Sequence, residues 1–266
     1  ALATPAQGEI QEDLPFKSAY DLSGVRIVTV AADQFSFEET VELSGLWRDM
    51  GAQVLFAGPK KSLAGEKLAA PGQARGEAVR LDVDLLLDEI DARRCDLIYI
   101  AGGDGIGRFV QEHGAALRAL LAGAHQGKAC VAAICHASMA LSLSPRIRGS
   151  RVTGNGDEEL EALIQAGAVV VDEVFVRDGA FLTGQYPFLR TFALQVAETL
   201  QFPQGNGPLQ AFLAGRTPLQ KAMADLRSSQ EISGQPVPRE QVEAVLRSAF
   251  QTILLRPWGN YPPLFT

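Results

Sequence analysis

Between Val25 and Ala32 the chain reads VRIVTVAA, an unbroken β-branched and small apolar run of strand length. Such a run marks a strand covered on both faces, the habit of a central strand in a parallel sheet. Glu38 to Met50 then places Val41, Leu43, Leu46, Trp47 and Met50 near helical spacing, with Gly51 as the stop. Val54 to Ala57 predicts the next strand, Arg80 to Asp82 a short one, Asp84 to Arg94 a helix, and Asp96 to Ala101 a buried strand ending in Gly102-Gly103. A long helix follows over Gly107 to Gly123, then a strand over Lys128 to Ile134 that runs into Cys135-His136 and a helix to about Leu143.

Arg151 to Thr153 predicts a short strand and Asp157 to Gly167 a helix. Val169 to Val176 and Ala180 to Thr183 flank Arg177-Asp178-Gly179, whose Asp-Gly step is a hairpin signal, and Phe188 to Leu200 is an amphipathic helix. Strands alternating with helices in this rhythm imply an α/β fold with a mainly parallel sheet and helices on both faces.

The pattern changes after residue 200, where eight of the 14 prolines and six basic against four acidic residues lie. The predicted organisation is an N-terminal extension (1–23), an α/β domain (24–200) and a Pro-rich helical C-terminal extension (201–266). The best element of the extension is Pro238 to Leu255, an apolar stripe suited to packing on the main domain or on another subunit. The tail from Trp258 to Phe265 has the look of an extended arm.

Composition narrows the function. The 266 residues carry a net charge of −7, which disfavours binding to nucleic acid or to an anionic membrane surface, and no apolar run approaches the ~18 residues of a membrane span. The expected location is cytoplasmic, or periplasmic or secreted if Ala1 follows a cleaved signal. Three cysteines, Cys95, Cys130 and Cys135, are too few and scattered for a disulfide framework or zinc cluster, and His113 and His125 read as solvated surface residues without metal-ligand spacing. No metal or cofactor is expected.

Cys135 is the candidate reactive group. It stands where a buried strand turns into a helix, with the small residues Ala133 and Ala137 two positions to either side. A nucleophile elbow requires such neighbours, because its central residue sits in strained backbone where bulky side chains at these positions would collide. A thiol at a helix N-terminus is also expected to favour the thiolate. The alternative is a buried packing cysteine, the reading given to Cys95 and Cys130. Gly102 and Gly103 end a sheet strand at the edge where open α/β sheets bind ligands. A dinucleotide reading of Gly103-Asp104-Gly105-Ile106-Gly107 fails, because the glycine spacing is wrong and the segment does not follow the first strand.

The segment Ala132-Ala133-Ile134-Cys135-His136-Ala137 resembles the active-site elbow of the DJ-1/PfpI superfamily. Further segments match in order: Val25 to Ala32 with Phe37-Glu38-Glu39-Thr40-Val41, Asp96 to Gly103, and Arg151 to Gln185. The resemblance covers roughly residues 24 to 200 and implies a flavodoxin-like three-layer sandwich, a small-molecule substrate and a homo-oligomer, dimer or larger. It implies that Glu39 hydrogen-bonds the Cys135 thiolate, with Glu38 and Glu42 left on a solvated helix face. It further implies that His136 assists, and that Gly102, Gly103 and Asp104 border the substrate, the N–H groups of Gly103 and His136 forming an oxyanion hole.

In the protease-like branch a glutamate orients the histidine from the position here held by Gly107, so Asp104 or Asp157 is the candidate orienting acid. The Gly103 to Gly107 run is closer to the loop of the isocyanide-hydratase-like branch, which lacks the histidine after cysteine. A class I glutamine amidotransferase is excluded, because no histidine follows His136. The readings that remain are a cofactor-independent cysteine enzyme acting on a small electrophile by glyoxalase-like, hydratase or hydrolase chemistry, a redox-sensing or chaperone-like protein using Cys135 oxidation, and a PfpI-like peptidase.

Overall fold

The computed structural model describes residues 19–68, 76–186, 188–204 and 207. Strand β1 (Arg26–Val30) and the short β2 (Phe35–Ser36) lead into a π-helical turn at Glu38–Glu42 and helix α1 (Leu43–Asp49). Then come β3 (Gln53–Gly58), β4 (Ser62–Lys67), β5 (Glu77–Asp82), β6 (Leu85–Leu86) and β7 (Leu97–Ile100). Helix α2 (Ile106–Gly127) precedes β8 (Cys130–Ile134), a 3₁₀ helix over Cys135–Leu143, β9 (Arg151–Val152) and α3 (Asp157–Gln165). The order closes with β10 (Val169–Val170), β11 (Phe175–Asp178), β12 (Phe181–Gly184) and α4 (Leu189–Gln201).

The main sheet has the order β11-β12-β8-β7-β1-β3-β6, parallel throughout except for β11. The apolar runs read from the sequence resolve here into two alternating sets, because successive strand residues point to opposite faces. Ile27, Leu97, Tyr99, Ala132 and Ile134 meet Trp47 of α1 and Phe192 and Val196 of α4 in one core. Val28, Val30, Ile98, Ile100, Val131 and Ala133 join Leu117 and Leu121 of α2, Leu141 and Leu163 in the other. This is the three-layer flavodoxin-like sandwich, and it explains why the central strands show no polar alternation.

Several elements depart from the sequence expectation. Asp84 to Arg94 is not a helix: the backbone of Asp84 donates to Phe56 O and its carboxylate accepts from Phe56 N, each at 2.9 and 2.8 Å respectively. That clamp extends the sheet, so Leu85–Leu86 pair with Ala57–Gly58, and two 3₁₀ turns follow. Val169 to Val176 is two strands, since Val169–Val170 leaves the main sheet to pair with Arg151–Val152. The Arg80 to Asp82 strand is the end of β5, which pairs antiparallel with β4, a strand absent from the sequence reading. These two and β2 form a small second sheet over the carboxyl edge of the main one.

The start of the domain also moves. Leu22 is fully buried and the Tyr20 hydroxyl donates to Glu198 Oε2 at 2.9 Å, so the chain is part of the core before residue 24. The Pro238 to Leu255 helix and the Trp258 to Phe265 arm lie outside the described residues. Among the described residues no helix is long and apolar enough to cross a membrane.

Candidate active site

The sheet changes direction of progress at β1: the chain moves from β1 to β3 on one side, then crosses back to β7 on the other. Loops after such neighbouring strands diverge and leave a crevice at the carboxyl edge. Three of them meet there: the turn after β1 carrying Glu39, the Gly102-Gly103 end of β7, and the β8 terminus at Cys135.

Cys135 has φ of 57°, a left-handed conformation that a non-glycine residue adopts only under constraint from its surroundings. The constraint is visible. Ile134 is still extended, the 3₁₀ helix starts at Cys135, and the Ser138 hydroxyl donates back to Cys135 O at 3.0 Å. The predicted small neighbours Ala133 and Ala137 are completely buried.

Glu39 lies in the π-helical turn, a local widening that often marks functional sites. The Tyr99 hydroxyl fixes that turn by donating to Glu39 O at 2.6 Å, and Ser36 Oγ accepts from Glu39 N at 3.3 Å. The carboxyl of Glu39 is buried, and its Oε2 has no hydrogen-bond partner. Gly102 makes this possible, because a Cβ there would collide with Glu39 Oε2 and lie 3.2 Å from Cys135 Cβ. Burial and the nearby Glu38 carboxyl push Glu39 up to about 8, partly offset by interactions with Ser36 and Cys135. At neutral pH Glu39 is therefore mostly the neutral acid, able to donate.

Gly103 adopts φ of 132°, and its neighbourhood leaves no room for a side chain against Phe35 and Ser36 of β2. Asp104 is exposed at the mouth. Glu38 and Glu42 do not share one solvated face. Glu38 is 8% exposed, accepting from Leu68 N at 2.9 Å and Ser36 Oγ at 3.4 Å, whereas Glu42 pairs with the buried Arg190 guanidinium at 3.2 Å.

His136 curls back onto the sulfur, with Nδ1 3.1 Å from Cys135 Sγ. Its other nitrogen, Nε2, lies 3.5 Å from Glu159 Oε1. The acid behind His136 is thus Glu159, not Asp157 or Asp104. Asp157 opens helix α3 and faces solvent, while Glu159, two residues on, turns inward and is only 6% exposed. The sequence held a signal for this, since Gly154 and Gly156 clear the space that Ser138 and the Glu159 carboxyl occupy. A Cβ at Gly107 would meet nothing within 4 Å, so neither member of the pair lies against that position.

The expected thiolate-favouring surroundings are not present at rest. Burial and the Glu39 carboxylate raise the Cys135 thiol well above the ordinary range, with Glu159 and Asp104 adding to the rise and only the His136 N–H opposing it. Burial likewise raises Cys95 and Cys130. His125 departs from its solvated reading: it is 7% exposed, bonded through Nε2 to Ser144 Oγ at 2.8 Å, and its pKa is lowered by burial and by Arg146. His113 marks a kink in α2 and packs against Phe109.

The crevice opens into a cavity of about 660 Å³, walled by Cys135, His136, Gly103, Tyr186 and the β4 end at Glu66 and Leu68. Tyr186 escaped the sequence reading; Asn155 holds its backbone by reciprocal hydrogen bonds of 2.7 Å. Among the described residues no group of three His, Cys, Asp or Glu side chains is placed to hold a metal ion.

Sheet order, crevice and elbow together define a flavodoxin-like α/β protein with a cysteine at the strand-to-helix turn. The family model of the DJ-1/PfpI family matches residues 25–199, and the chain belongs to that family. The ThiJ/PfpI domain protein of Brachyspira murdochii superposes with a TM-score of 0.56 at 18% identity, over 67% of this chain and 97% of its own. Drosophila melanogaster DJ-1beta gives 0.55 at 20%, over 78% and 97%. A two-domain protein of Anabaena variabilis with DJ-1/ThiJ/PfpI-like and ferritin-like domains gives 0.57 at 20%, over 88% of this chain and 73% of its own. No curated protein matches the chain.

Proposed function

We propose that the protein is a cysteine enzyme that adds the Cys135 sulfur to the electrophilic carbon of a small molecule, a reactive carbonyl or a nitrile- or amide-like carbon. The observation that carries this reading is the line Cys135 Sγ, His136 Nδ1, His136 Nε2, Glu159 Oε1, at 3.1 and 3.5 Å, opening on the crevice at the carboxyl edge of the sheet. A buried, protonated thiol needs a base at the moment of attack, and His136 with Glu159 behind it is such a base.

For a carbonyl substrate the first step balances as follows. His136 Nδ1 takes the proton from Cys135 Sγ, and the sulfur forms a bond to the carbonyl carbon. The C=O π pair moves to oxygen, and neutral Glu39 transfers its proton there. A hemithioacetal results, with imidazolium facing Glu159 and with Glu39 ionised. The raised Glu39 pKa suits this donor role near neutrality.

Redox sensing is the weaker reading, because peroxide reacts with thiolate and the surroundings of Cys135 hold the thiol form. The bare Gly107 position weighs against a peptidase. Turnover of methylglyoxal and a panel of isocyanides and amides by wild type and Cys135→Ser tests the proposal. The expected result is activity on at least one class that falls ~10³-fold or more in the variant. No turnover of any class, together with a stable Cys135 sulfinate after peroxide, would replace the enzyme reading with the redox one.

A further inference from the structure

The cavity beside Cys135 is lined by four carboxylic side chains, Glu38, Glu39, Glu66 and Asp104, and among the described residues lining it there is no lysine or arginine. His136 supplies the only basic nitrogen in that lining, and it is engaged between Cys135 and Glu159. Among the described residues, three cations of the surrounding segments have partners of their own. Lys67 Nζ lies over the Phe37 ring at 5.0 Å, Lys60 pairs with Asp33 at 2.5 Å, and Arg108 pairs with Glu112 at 2.7 Å. Glu38 is satisfied by Leu68 N and Ser36 Oγ, so it is a wall of the cavity. Glu39 Oε2 is different: in a residue 4% exposed it faces the reaction centre with no hydrogen-bond partner, a buried polar atom awaiting one from a ligand.

We propose that the site selects electrophiles bearing a positive charge, such as a protonated amine, and rejects carboxylate- or phosphate-bearing ones, the charge resting by Glu66 and Asp104 at the mouth while the reacting carbon meets Cys135. This deepens the enzyme reading and rests on it. Low-dielectric walls carrying one sign of charge concentrate the field inside a cleft. Two carboxylates several ångströms from a ligand charge are worth roughly tenfold in local concentration for each unit of ligand charge.

Methanethiosulfonate reagents test the selectivity without turnover. The Cys135 thiolate displaces methanesulfinate and forms a mixed disulfide whose attached group is trimethylammonioethyl, methyl or sulfonatoethyl. Rates at Cys135, followed by peptide mass and divided by those of a free small thiol, should fall in the order cation, neutral, anion, by roughly tenfold per step. Glu66→Gln with Asp104→Asn should bring the ratios toward one, as should high salt. Equal rates, a preference for the anion, no modification of Cys135 by any reagent, or ratios unmoved in the double variant would overturn the proposal. If the ordering holds while no substrate of any class is turned over, the charge selectivity stands and the enzymatic reading falls.

Discussion

Cys135 combines a left-handed backbone, a buried sulfur and a base at 3.1 Å, and each has a separable consequence. The φ of 57° disfavours any side chain, so Cys135→Gly should be more stable than Cys135→Ala by about 1 kcal/mol in urea unfolding, with both inactive. Gly102→Ala pushes a methyl group into Glu39 Oε2 and against Cys135 Cβ. Overpacking of this kind costs about 1–3 kcal/mol, and the variant should lose activity even at temperatures where it remains folded. Glu39 links stability to pH with a defined sign. The unfolded chain ionises it near 4.5, whereas the folded protein keeps the proton until about pH 8. Its contribution is full below the lower value and is lost as pH rises through the higher, on the order of a few kcal/mol. Glu39→Gln should flatten that decline in urea midpoints taken across this range. At this scale the sequence was informative about Cys135, because small residues on both sides have a steric meaning. It was silent on the resting protonation of the thiol, which depends on Glu39, Glu159 and Asp104 arriving from three other segments.

The π-helical turn, the 3₁₀ helix and the first turn of α3 each place one member of the site. A helix was legible from Glu38 onward, but its first turn is π-helical, and that widening turns both Glu38 and Glu39 inward. The acid at α3 shows the same limit. Helical phase between Asp157 and Glu159 differs by about 200°, so one faces solvent when the other faces His136. Glu159→Gln should lower kcat/KM roughly tenfold or more and shift its pH profile, because the imidazolium loses its partner, while Asp157→Asn should leave both unchanged. The helix predicted over Asp84 to Arg94 failed because Asp84 is clamped to Phe56 and Leu85–Leu86 pair with β3, long-range contacts that periodicity does not encode.

Over the whole molecule, the parallel order of the main sheet was legible because the central strands are apolar on both faces. The hairpin of β4 and β5 was not, since its residues are mixed and half exposed. Nor was the anchoring of the chain before Val25. A protein beginning at Val25 would lose the burial of Leu22 and Tyr20 and the bond to Glu198. It should be less stable by about 3–5 kcal/mol, read as a drop in urea midpoint. Only the complete sheet brings Glu39 of the first crossover beside Cys135, almost a hundred residues away. The most direct test of that meeting is the pH dependence of Cys135 alkylation by iodoacetamide in wild type and Glu39→Gln. Above about pH 8, where Glu39 is ionised, removing the carboxylate takes away a negative neighbour of the sulfur, so the variant's midpoint should lie below that of wild type. Identical midpoints in the two proteins would contradict a shared Cys135–Glu39 site and the chemistry built on it.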